Sequence, residues 1–118
     1  MSQTRLQDAA GTTFAEKNFK ADGTGAMSET ITIDKATKIL SVTLHLSSVG
    51  ATSENFVVAI DSDSGTAYDA TLLSQDMNTV TDFFSNTEIH LSAGSDLNFT
   101  YTNTDASTWG LEVVYGDI

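Results

Sequence analysis

Residues 40–47 read Leu40-Ser41-Val42-Thr43-Leu44-His45-Leu46-Ser47. Apolar and polar side chains alternate without a break. In an extended chain successive side chains point to opposite faces, so one face of this stretch is aliphatic and the other carries hydroxyls and an imidazole. That is the pattern of a strand covering a core on one side and meeting water on the other.

The same rhythm recurs on both sides of it. Ile31 and Ile33 alternate with Thr30 and Thr32. Phe56, Val58 and Ile60 share one face, and Tyr68, Ala70 and Leu72 share another. Leu97, Phe99 and Tyr101 alternate with Asn98, Thr100 and Thr102, and Trp109, Leu111, Val113 and Tyr115 repeat the period. Residues 80–84 and 88–91 add two shorter segments. Between these segments lie clusters of Ser, Asn, Asp and Gly at residues 34–37, 48–50, 61–65, 75–78, 92–95 and 103–106, the residue types that favour turns. Ser and Thr make up roughly a quarter of the chain and there is no proline. About eight short strands at this spacing, mostly apolar on one face only, predict an all-β fold over residues 27–118. The expected form is an antiparallel, jelly-roll-like β-sandwich.

Residues 1–26 break the rhythm. They hold Gly11, Gly23 and Gly25, two phenylalanines, Phe14 and Phe19, and three of the five basic residues, Arg5, Lys17 and Lys20. No sustained period of 2 or 3.6 appears, so this segment reads as an irregular N-terminal arm with a short helix over residues 15–20. Such an arm gains order on a partner.

The chain is 118 residues long, enough for one domain with its own core. It has no cysteine, which excludes disulfides, thiolate metal sites and a cysteine nucleophile. The longest apolar run, residues 56–60, is far too short for a bilayer, and the first residues show no apolar core of a secretory signal. All Lys and Arg lie at or before Lys38, whereas residues 39–118 hold eleven acids and neither basic type. A surface of that sign repels nucleic-acid phosphates and anionic membranes, and it discourages strand edges from stacking on one another.

Few groups are placed for chemistry. Asp61-x-Asp63-x-Gly65 matches the opening of a calcium loop, but no acid stands at the next alternating position, and Leu72 occupies the place of the closing bidentate Glu. The expectation is a polar turn and no metal. His45 and His90 are the only histidines and have no ligand at metal spacing. No G-x-S-x-G elbow is present, and acids in turns offer no apolar pocket to keep a glycosidase carboxyl protonated. Trp109, Tyr68, Tyr101 and Tyr115 are candidates for a sugar-stacking platform, but Trp109, Tyr101 and Tyr115 fall in phase with core residues, which weakens them in that role. Phe83 and Phe84 are adjacent, so one must face away from the core, with Met77 nearby to extend an apolar patch. The chain reads as a binding or structural module without a cofactor, and not as an enzyme.

The stretches SENFVVAIDSDSGTAYDATLLSQDM (53–77), VTDFF (80–84) and LSAGSDLNFTYTNTDASTWGLEVVYGDI (91–118) resemble small β-sandwich proteins encoded among the structural genes of tailed bacteriophages. The resemblance implies a virion component, foremost a capsid decoration (cement) protein. Its partners would be the major capsid protein or other virion proteins. Copies would associate with each other, trimers being common in that group, and the protein would end on the capsid exterior after synthesis in the host cytoplasm. A tail or fibre module, or a carbohydrate-binding sandwich recognising a host glycan, is the alternative. On the first reading, the expected contacts are Arg5, Phe14, Lys17, Phe19 and Lys20 of the arm, with Met77, Phe83 and Phe84.

Overall fold

In the computed structural model, the backbone is described for residues 5–7 and 13–117, and side chains for residues 16–117. The elements in chain order are β1 (Arg5–Gln7), β2 (Thr13–Gly23), β3 (Met27–Thr32), β4 (Thr37–Leu46), β5 (Asn55–Asp61), a 3-10 turn (Thr66–Tyr68), β6 (Ala70–Asp76), β7 (Asp82–Ser85), β8 (Ile89–Leu91), β9 (Asp96–Tyr101) and β10 (Trp109–Asp117). They form two antiparallel sheets. The larger runs β1-β2-β10-β4-β7, with β8 also on β4; the smaller runs β3-β9-β5-β6.

The alternating residues close the core between the sheets. Val42, Leu44, Leu46, Trp109, Leu111 and Val113 come from the larger sheet; Ile31, Phe56, Val58, Leu97, Phe99 and Tyr101 come from the smaller. Each such side chain removed from water stabilises the fold by about 1.5–3 kcal/mol. Two aromatic pairs bridge the layers. Phe19 of β2 stacks on Phe99 of β9 with ring centroids 6.4 Å apart. Phe83 of β7 meets Phe56 of β5 edge-on at 5.5 Å.

The N-terminal region departs from expectation. The helix expected over residues 15–20 is not formed, because these residues lie inside β2, which pairs with β10 from Gly23–Trp109 to Glu16–Gly116. The sheet overrides the local preference. Glu16, Asn18, Lys20 and Asp22 take the outward positions, and the inward ones go to Phe19 and small residues such as Ala21 and Gly23. A Cβ at Gly23 would stand 3.0 Å from the Trp109 ring, closer than ordinary contact, so the ring would have to shift to admit one. Residues 13–23 are thus not irregular; residues 1–4 and 8–12 lie outside the described residues.

Two bulges shift the expected phase. The register of β4 on β10 slips between Val114 and Tyr115, so that Ile39, not Leu40, pairs with Tyr115. Ile39 is fully buried and Leu40 only partly, because an extra residue in one strand reverses the facing beyond it. A second slip between Val58 and Ala59 leaves Leu72 of β6 without a partner in register. Tyr68 shares no strand face with Ala70 and Leu72: it sits in the 3-10 turn, largely exposed.

At one end of the sandwich, buried Asn103 ties the β2–β3 loop to its own β9–β10 loop. Its amide donates to the carbonyls of Thr24, Gly25 and Ser107, and its carbonyl accepts from Ser107 N. The Trp109 indole donates to Gly25 O at 2.9 Å.

Candidate interaction surface

Registers across the larger sheet define its outer face row by row. One row runs Lys20, Glu112, Thr43 and Phe84 across β2, β10, β4 and β7; the next runs Asp22, Gly110, His45 and Asp82. Directly opposed residues share a face, so each row sets its side chains next to one another. Lys20 Nζ lies 3.7 Å from Glu112 Oε2, and His45 Nδ1 lies 2.5 Å from Asp82 Oδ1. The hydrogen bond with His45, aided by one from Thr81, lowers the Asp82 pKa from its ordinary value. With no side chain at Gly110, the middle of the second row is open. A shallow depression results, lined by Lys20, Asp22, Thr43, His45, Gly110 and Glu112. Phe84 stands at its rim, 64% exposed, on a four-residue edge strand. An exposed ring beside paired charges is a surface suited to docking, since the ring gains burial and the charges fix orientation.

The structure brings together only some of the expected contact residues. Lys20 and Phe84 end the same row. Lys17 lies farther along β2, its ammonium donating to both carboxylate oxygens of Asp117 at 3.1 and 3.0 Å, which raises the Lys17 pKa. Phe19 and Phe83 face inward in the aromatic pairs above. Met77 is fully buried, so it cannot extend an outer patch: its N–H donates to Glu54 O, and that loop carries the side chain into the core. The side chains of Arg5 and Phe14 lie outside the described residues. Sequence reasoning gave no contact role to His45, Asp82, Gly110 or Glu112; the signal available was the outward phase of His45 and Glu112.

The Asp61–Asp63 turn is built from hydroxyls. Asp63 accepts from Ser92 and Ser95, each at 3.2 Å, Asp69 accepts from Ser62 N at 2.7 Å, and Asp61 faces Asp96 across the strands. No group of three or more acids or histidines able to hold a metal ion occurs among the described residues. Of the aromatics considered for sugar stacking, Tyr101 and Trp109 are buried and Tyr68 is exposed.

Among solved structures, this chain is similar to one in the acidic stable capsid of Helicobacter pylori bacteriophage KHP30. The TM-score is 0.59 at 11% identity, over 98% of this chain and 93% of that one. The likeness is one of fold. Weaker likenesses are to the Drosophila NLP core (TM-score 0.48, 11% identity, 87% of this chain and 97% of that one) and to Aeromonas hydrophila PliG, a periplasmic inhibitor of g-type lysozyme (TM-score 0.37, 13% identity, 93% and 92%). No family model matches the chain, and no curated protein matches it in sequence.

Proposed function

We propose that this chain is a structural protein of a bacteriophage particle, of the decoration (cement) type, which docks on the exterior of an assembled shell beside the major capsid protein and reinforces it. The observation that carries this reading is a fold shared, nearly end to end in both chains, with a chain of a phage capsid. The physical properties suit the role. A formal charge of -11 keeps free copies apart in solution. On a shell with many equivalent sites, each copy need add only a few kcal/mol, because binding to the assembled form stabilises it by mass action. On this reading residues 1–26 and the Phe83–Phe84 segment supply contacts to neighbours. The division at residue 26 is then one of contact role, since β2 belongs to the sheet. Copies seated on the shell also associate with one another. Burial of Tyr101 and Trp109 favours this reading over a glycan-binding module.

The test is particle composition. Purified particles of the encoding phage should contain the chain in many copies, and purified protein should co-sediment with shells lacking it and raise their melting temperature. A Phe84→Ser chain should keep its own stability within about 0.5 kcal/mol, as exposed sites do, and bind shells less. Absence of the chain from particles, with no binding to shells, would overturn the proposal.

A further inference from the structure

The acids of the smaller sheet and its loops stand without the lysines that offset several acids of the larger sheet. Residues 47–81 and 92–108 contain seven acids and no Lys, Arg or His. Three of them, Glu54, Asp76 and Asp105, gather at the end where Asn103 ties the loops. Each is held by neutral donors. Asp105 accepts from the N–H groups of Ala51 and Thr52, Glu54 from the N–H and hydroxyl of Thr104, and Asp76 from Ser53 Oγ and Asn78 N. These bonds fix the carboxylates but leave their charge. No cation among the described residues lies within ion-pair distance of any of the three.

Beneath them lies a group that points to a ligand. The Tyr101 side chain is 2% exposed, and its hydroxyl has no hydrogen-bond partner among the described residues. The hydroxyl lies 3.3 Å from where a Cβ on Gly50 would stand, under the loop that carries Glu54. Glu54, Asp105 and Asp76 all act on it: burial first, and then their charges, raise the Tyr101 pKa. An orphaned buried hydroxyl is costly, and here the charges of three carboxylates bear on it.

We propose that this end of the sandwich receives an arginine side chain from a different chain of the particle, its guanidinium bridging the carboxylates above Tyr101. Five donors in a planar fork suit several carboxylate and hydroxyl acceptors spread over more space than one metal ion covers. A second copy of this chain is a poor source. It has one arginine, Arg5, and would bring it on a molecule of like charge, while Lys17, Lys20 and Lys38 are already ion-paired. The identity of the neighbour rests on the function proposed above; the chemistry of the site does not.

The site is testable in solution by NMR titration of the full chain with the peptide acetyl-Gly-Arg-Gly-Arg-Gly-amide, with the citrulline version as the neutral isostere, and with calcium chloride. The expected result is saturable shifts at the amides of Ala51, Thr52 and Thr104 with the arginine peptide, about tenfold weaker binding of the citrulline peptide, and weakening by added salt. Glu54→Gln should reduce binding. Tyr101→Phe, which keeps the ring in the core, should melt no lower than the parent and also bind less. Equal response to arginine and citrulline, no effect of either substitution, or the same shifts with calcium alone would each overturn the proposal. Particle assays separate the two claims. If the parent chain is in particles and Glu54→Gln enters equally, this inference fails and the virion role stands. If the chain is absent from particles, the virion role fails while the titration still decides the site.

Discussion

The two sheets fix their registers with different chemistry. In the larger one, lysines tie neighbouring segments through ion pairs: Lys17 to Asp117 and Lys20 to Glu112 between β2 and β10, and Lys38 to Glu88 where β4 meets β8. In the smaller one, neutral groups do the same. Thr30 Oγ1 donates to Asn98 at 2.8 Å between β3 and β9, and the Asn55 amide donates to Ser74 at 2.7 Å between β5 and β6. One layer therefore sets lysines against several of its acids, and the other holds its acids with neutral donors. The difference teaches that the negative charge of the chain is not spread as a uniform skin. It is partly offset on one layer and left without lysines on the other, which gives the molecule two chemically distinct faces.

The sharpest way to break this comparison is Lys38→Met. The Lys38 side chain is only 6% exposed and Glu88 also holds His90. Glu88 is 23% exposed and keeps His90, so it is only partly uncompensated without Lys38, and urea denaturation should show a loss of about 2 kcal/mol. A loss no greater than that of an exposed lysine would show that β8 is held by packing alone. A smaller effect is expected for Lys17→Met. Lys17 is 41% exposed, and such pairs are worth roughly 0.2–1 kcal/mol. Because the folded state raises the Lys17 pKa above its ordinary value of 10.5, its contribution is whole below that value and is lost as pH rises through the raised one. Parent and variant stabilities, compared by denaturation at neutral and strongly alkaline pH, should converge at the alkaline end. The smallest effect is expected for Thr30→Val, about 0.5 kcal/mol from an exposed hydrogen bond in the neutral layer. It should be unchanged by salt and by pH between neutrality and mild alkali. A salt-dependent effect there would remove the distinction between the layers.

Most of the sandwich is legible in the sequence because its strands are one-sided. The Leu44 and Phe99 segments each declare an inner and an outer face. What escaped detection has a physical reason in each case. In β2 the inward positions hold Ala21 and Gly23, which carry little apolar signal. The usable clue was the strict polar alternation of Glu16, Asn18, Lys20 and Asp22. In β4 the bulge reverses facing at Leu40, and nothing local marks it because Ile39 and Leu40 are both aliphatic. The outer-face surface was legible only in Phe84, whose neighbour Phe83 had to claim the core. Its rows depend on which strands lie side by side, and β2 beside β10 joins residues about ninety positions apart. The trio Glu54, Asp76 and Asp105 is likewise assembled from two loops and the end of β6.

The position of β10 has a consequence for how the chain comes into being. This strand, last in order, is inserted between β2 and β4 and bonds to both along its length. Until residues 109–117 have left the ribosome, the larger layer is two unjoined pieces, each with a bare edge open to adhesion. Closure of the larger layer must therefore wait for β10, and a nascent chain halted before Trp109 is a sticky fragment rather than a smaller version of the protein.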